Sequence, residues 1–292
     1  MLSSPSKLVL FAFLSSTAAF APKTKMTVPR AALELRGGFS PPPEVFQKYA
    51  AYGEFQAKQP TEKIIMQSIL AGCYVAFGCA FAICVGGAMP GIKESNPGLQ
   101  KLLFGAFGLP FALLMIILSG GQLFTGNTAL ITAALLEGRV SKAELLKNWV
   151  LSYFGNFAGV LAVVFAIKAA GLMPNLAPTV GVAAMKTGIP WVQAFVRGFL
   201  CNWMVCMAVW QNMCAGDVPG KVLGTIFPIA AFVSMGFEHS IANMGFIPFG
   251  MLSGADVSVS DFLLKNLVPV TLGNILSGSL VVGCAYHFIY GK

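Results

Sequence analysis

Met235-Gly236-Phe237-Glu238-His239-Ser240-Ile241-Ala242-Asn243 lies in the middle of an otherwise uncharged apolar run, Val222 to Leu252, and holds that run's only acidic residue and only histidine. An ionisable pair placed in hydrocarbon is strongly disfavoured unless it faces a cavity or a partner. The stretch therefore predicts a polar site at membrane depth, and a pore is the simplest structure that supplies one.

The composition agrees. The 292 residues are 56% hydrophobic and 10% charged, with a mean hydropathy of +0.75. So little polar surface excludes a soluble globule and predicts an all-α, polytopic membrane protein. The net charge of +8 does not point to nucleic acid, because residues 1–39 hold Lys7, Lys23, Lys25, Arg30 and Arg36 against Glu34, half of the excess. Cys73, Cys79, Cys84, Cys201, Cys206, Cys214 and Cys284 form no CxxC pair and sit in apolar segments, where free cysteine behaves as a small hydrophobe.

Residues 1–19 have the layout of a cleaved signal peptide: Lys7, an apolar core from Leu8 to Leu14, and the small-residue end Ser15-Ser16-Thr17-Ala18-Ala19. Residues 20–40 continue as a transit-peptide-like leader, basic and hydroxyl-bearing from Phe20 to Arg30. The junction Ala18-Ala19-Phe20-Ala21-Pro22 resembles the bipartite leader of algae with secondary plastids, which would deliver the chain to the plastid envelope. A plain secretory signal, leading to the plasma membrane, is the alternative. Residues 41–62 open on Pro41-Pro42-Pro43, and Val45, Tyr49, Tyr52 and Phe55 follow at three- and four-residue intervals, which predicts an amphipathic helix at the membrane surface.

Residues 63–291 contain six apolar segments: Ile64 to Ala88, Leu102 to Leu136, Asn148 to Leu172, Ile189 to Cys214, Val222 to Leu252 and Asn266 to Tyr290. A span needs about 20 residues. The second and fifth segments are much longer and are interrupted at the middle, the second by Ser119-Gly120-Gly121-Gln122-Leu123-Phe124-Thr125-Gly126-Asn127. Each is expected to be two half-helices around an irregular loop, and such loops are tolerated only where protein or a water-filled cavity satisfies their backbone. Leu145-Leu146-Lys147-Asn148 recurs as Leu263-Leu264-Lys265-Asn266, and Gly155-Asn156 as Gly273-Asn274, all at an offset of 118. A three-span unit used twice enters the membrane from opposite sides, so the sequence predicts an inverted 3+3 repeat with its site between the broken helices. Arg139, Lys142 and Lys147 favour both termini on the inner side.

Several long stretches then resemble the formate/nitrite transporter family, in order and with family-like spacing. They are Leu123-Phe124-Thr125-Gly126-Asn127; Gly138-Arg139-Val140 with Lys147-Asn148-Trp149 and Tyr153-Phe154-Gly155-Asn156; Cys201-Asn202-Trp203 with Val205-Cys206 and Ala208-Val209-Trp210; Gly236 to Met244; and Asn266 to Asn274. The resemblance implies a homopentamer in membrane lipid, each protomer aquaporin-like with its own pore. In that pore it implies a central histidine, His239, with Glu238, Asn243 and Asn202 beside it, and Thr125 on the facing loop. It implies apolar constrictions from Leu123 and Phe124 on the inner side and from Phe232, Leu109 and Leu113 on the outer. Lys186 corresponds to a basic residue near the outer mouth. Leu109 stands where many members have an aromatic.

The implied activity is transmembrane transport of nitrite or formate, proton-linked through the histidine as weak-acid/proton cotransport, with channel-like anion passage as the alternative. An anion cannot cheaply enter two dry rings, whereas a neutral weak acid can; a lysine at the mouth gathers the anion, and an imidazole can donate a hydrogen bond or a proton to it. A channel for neutral small solutes or gas is the alternative function. No nucleotide loop, metal cluster or nucleophile with a base marks an enzyme, and no cofactor, metal or nucleic-acid partner is expected.

Overall fold

The computed structural model describes residues 38–173 and 176–292; the leader readings for residues 1–37 lie outside the described residues. Helix α1, Pro42–Ala57, starts on proline, whose missing N–H is not needed in the first turn. The sequence places it at the membrane surface, yet its apolar face meets protein. Val45, Phe46, Tyr49 and Ala50 are fully buried, while Phe55 is 55% exposed. Gly53 brings α1 against the backbone of Leu130, where a Cβ would collide with a carbonyl.

Helix α2 runs Thr61–Gly87 and widens into a π-helical last turn. Helices α3, Pro97–Ala106, and α4, Leu109–Ser119, form one bent span. Then come α5, Phe124–Leu136, and α6, Lys142–Ala169, the latter opened by a Ser141/Glu144 capping box. The second half repeats the order with α7, Leu176–Thr187; α8, Trp191–Cys214; α9, Val218–Ser234; α10, Ser240–Leu252; and α11, Asp261–Tyr290.

Among the described residues five helices are long and apolar enough to cross a membrane: α2, the α3–α4 pair, α6, α8 and α11. The fifth apolar segment of the sequence becomes α9 and α10, each too short to cross alone. The second segment divides differently. Its α3–α4 part is already of spanning length, and α5 is a half-helix added after it. Both α2 and α8 begin after an extended proline, Pro60 and Pro190, and both broken helices restart from an extended N-cap, Leu123 and His239.

Candidate functional site

Each broken helix is interrupted in the same way. Gly120 and Gly236 both take φ of 75°, the left-handed conformation that ends a helix without a side-chain penalty. The chain then runs extended for a few residues and restarts as α5 or α10. The positive N-terminal ends of these half-helices hold donors that can face an anion.

A circuit of amides holds each break. In the first half, Gln122 Oε1 accepts from Asn127 Nδ2 at 3.0 Å and Asn148 Nδ2 at 2.7 Å, and Asn127 Nδ2 also reaches Asn148 Oδ1 at 2.8 Å. Asn156 Nδ2 donates to the carbonyls of Ser68 and Gln122, both at 2.8 Å, while its Oδ1 accepts from Phe124 N at 2.9 Å. The second half repeats this bond for bond. Glu238 Oε2 accepts from Asn243 Nδ2 at 2.7 Å and Asn266 Nδ2 at 3.1 Å, and Asn243 Nδ2 reaches Asn266 Oδ1 at 2.7 Å. Asn274 Nδ2 donates to Gly198 O at 2.7 Å and Glu238 O at 3.2 Å, and its Oδ1 accepts from Ser240 N at 2.9 Å. Irregular backbone at this depth is thus satisfied inside the protein.

The circuits differ at two equivalent places. Asn148 donates to Gln56 O at 3.1 Å, and Asn266 to Lys186 O at 2.9 Å, so Gln56 and Lys186 correspond, as do Gln122 and Glu238. Lys186 Nζ lies 2.9 Å from Glu238 Oε1, with the two side chains 9% and 2% exposed, and 5.4 Å from the Phe246 ring centroid. The first half has an amide at both places. Gln122 Nε2 instead donates to Gln56 O and Gln67 Oε1, each at 3.2 Å.

His239 is the N-cap of α10. Its Nδ1 accepts from Ala242 N at 3.0 Å, and its Nε2 lies 3.0 Å from Thr125 Oγ1 in α5. An acceptor Nδ1 puts the neutral ring's proton on Nε2, so Nε2–H donates to Thr125. The Thr125 hydroxyl hydrogen is then left to donate elsewhere. The ring stacks on Phe232 at 6.0 Å between centroids.

Three cavities follow one another here, and His239 lines two of them. A vestibule of about 370 Å³ ends at Leu113, Ile116 and Leu123. Those three side chains also wall a chamber of about 20 Å³ that reaches Leu109, Phe232 and His239. Leu109, Phe232 and His239 in turn face a vestibule of about 60 Å³ that contains Lys186, Glu238 and Asn243. His239 thus lines both the chamber and the narrow vestibule, beside Leu109 and Phe232.

The structure brings together Thr125, Glu238, His239, Asn243, Lys186, Leu109, Leu113, Leu123 and Phe232, but Leu113, expected on the outer side, stands instead with Leu123 between the wide vestibule and the chamber. Phe124 is placed elsewhere, edge-on to Tyr153 at 4.9 Å, and lines none of these cavities. Asn202 also stays off them. Its amide bonds Thr125 O at 3.2 Å, Thr128 Oγ1 at 3.0 Å and Asn274 O at 2.7 Å, tying α8 to both α5 and α11. Val205, part of a motif that carries the resemblance, and Val75, Ala112, Ile116 and Ile229, which carried no signal in the sequence, complete the chamber wall. Gln122 did carry one: it precedes the N-cap of α5 as Glu238 precedes that of α10.

A helical membrane protein with a polar centre between two facing vestibules has the architecture of a channel or transporter. The sequence profile of the formate/nitrite transporter family matches residues 43–288, and the chain belongs to that family. It is 40% identical over 273 residues to a probable formate transporter of Methanothermobacter thermautotrophicus, covering 87% of this chain and 98% of the relative. It is 32% identical over 261 residues to the formate channel FocA of Escherichia coli K12, covering 82% and 90%. Among solved structures it is similar to a pentameric formate channel with formate bound, at a TM-score of 0.69 and 31% identity over 80% of this chain and 98% of that one. It is also similar to an FNT family ion channel, at a TM-score of 0.77 and 28% identity over 84% and 98%.

Proposed function

We propose that this protein transports formate and nitrite, linked to protons, with each protomer of a homopentamer carrying its own pore past His239. The observation that supports this most is the placement of His239 where the apolar chamber meets the narrow vestibule, with its Nε2–H turned to Thr125. A bare anion loses its hydration at rings such as Leu109/Phe232 and Leu113/Ile116/Leu123, at a cost that one hydrogen bond does not return. At the centre it would meet the free hydroxyl hydrogen of Thr125, whose oxygen accepts from His239 Nε2–H, and the N-terminal ends of two half-helices.

Adding a proton to Nδ1 would break the Ala242 cap. His239 therefore serves as a neutral hydrogen-bond donor, and the proton crosses with its anion as the undissociated acid. Nitrite as the main cargo, and a plastid envelope as the location, rest on the leader: in algae nitrite is reduced inside the plastid, so an importer there has a defined task.

The test is uptake of labelled formate and nitrite into liposomes holding the protein, with an imposed pH gradient. Wild-type uptake should exceed that of empty liposomes and rise about tenfold for each unit of external acidification, as the undissociated acid does. His239→Ala should lower flux about 10- to 100-fold, the value of a hydrogen bond to a charged group. His239→Asn keeps an oxygen for the α10 cap, so it should fold as well as wild type while its flux stays low. Passage of water or glycerol with neither anion moving, indifferent to pH and to His239, would replace this reading with a neutral-solute pore.

A further inference from the structure

The two vestibules differ electrically. In the narrow one Lys186 is matched by Glu238 at 2.9 Å, so the pair adds no net charge. Among the described residues no carboxylate lines the wide one, and its two cations are Lys48 and Lys221. Lys48 is already committed, with Glu44 Oε1 at 2.9 Å and Ser40 Oγ at 2.6 Å. Lys221 is half-buried, and among the described residues no carboxylate lies within 4.0 Å of its ammonium. The nearest acid in sequence, Asp217, caps α9 by accepting from Gly220 N at 2.8 Å.

The backbone of Lys221 is fixed from two sides. Its carbonyl accepts from Thr225 Oγ1 at 2.8 Å and from Asn212 Nδ2 at 3.3 Å, and Asn212 also lines the vestibule. The position that would mirror Lys186 in this half holds Gln56, which is neutral. The cation at this mouth therefore comes from α9 and not from the residue equivalent to Lys186.

We propose that Lys221 is the anion-gathering residue of the wide vestibule, holding formate or nitrite electrostatically below the Leu113/Ile116/Leu123 ring. An unpaired positive charge in a partly desolvated cavity concentrates small anions there and speeds their capture. It does nothing for passage across the apolar rings, which is the task of the centre. This role rests on the anion-transport reading above.

The experiment measures initial uptake of labelled formate against its concentration, at an ionic strength of about 10 mM and again near 1 M, where charges are screened beyond a few ångströms. Wild type is compared with Lys221→Gln and Lys221→Arg in the full chain. Lys221→Gln should raise KM about three- to tenfold at low salt with the maximal rate kept. The difference should shrink at high salt, and Lys221→Arg should restore the wild-type KM. A lysine that only anchors α9 at the membrane edge would change the yield of folded protein and leave KM and its salt dependence alone. Normal wild-type flux with an unchanged KM in Lys221→Gln overturns the role of Lys221 and spares the transport reading; absent wild-type flux overturns both.

Discussion

The first broken helix and the second are held by one hydrogen-bond pattern, and only the second contains charge. Gln122 and Glu238 use one side-chain oxygen alike, to accept from two asparagines, and differ in what the other end of the group requires. The second end of an amide is a donor, and Gln122 finds the Gln56 carbonyl. The second oxygen of a carboxylate is an acceptor, and Glu238 finds the Lys186 ammonium. Holding a helix open at membrane depth therefore needs amides alone. The ion pair and the capping histidine, which stands where the first half has Leu123, are additions to a frame already complete.

The largest effect expected from this comparison is at the ion pair. Glu238→Gln leaves the Lys186 ammonium buried without a carboxylate and should destabilise the protein by about 3–5 kcal/mol. Adding Lys186→Gln copies the first half and should recover most of that loss. Thermal unfolding of the three variants in detergent checks it, and a single mutant as stable as the double would mean that the charges are not balanced against each other.

The frame itself should respond equally in both halves. Asn156→Ala and Asn274→Ala each remove three corresponding hydrogen bonds, so each should cost about 1–3 kcal/mol, with the two values close to one another. A large inequality in unfolding free energy would show that the circuits are alike in geometry and unlike in energy.

The smallest effect concerns the joint between halves. Tyr153 and Thr271 are related by the offset of 118 and meet directly, hydroxyl to hydroxyl at 3.1 Å. Tyr153→Phe should cost about 0.5–1.5 kcal/mol. Combined with Thr271→Val, the double mutant should cost less than the sum of the single changes, because both remove one bond.

Much of this was legible beforehand. Apolar runs longer than a span, broken by Gly120-Gly121 and by Gly236, announce half-helices, because only a left-handed residue stops a helix so abruptly. The resemblance supplied Thr125, His239 and Lys186 as site residues, and they converge. The circuit stayed hidden because no single offset aligns the halves. Gln56 and Lys186 are 130 apart, Gln122 and Glu238 are 116 apart, and Asn148 and Asn266 are 118 apart. At the offset of 118 that the repeated tetrapeptide suggests, Gln122 falls opposite Ser240. Connections of unequal length absorb these shifts, since loops carry little of the packing.

By itself, then, the sequence determined a membrane protein with a repeated unit and two interrupted helices, the second carrying ionisable groups, because hydrophobic length and glycine position are local properties. Tertiary structure alone decided three other matters. The apolar face of α1 is spent on α5 rather than on lipid, since amphipathic spacing does not say which apolar neighbour will cover it. Phe124 turns to Tyr153 while its neighbour Leu123 faces the cavities. The nitrogen of His239 that carries the proton is fixed by the backbone N–H of Ala242 against its other nitrogen. Each is settled by what lies across a contact, and contacts between distant segments are not written in either segment alone.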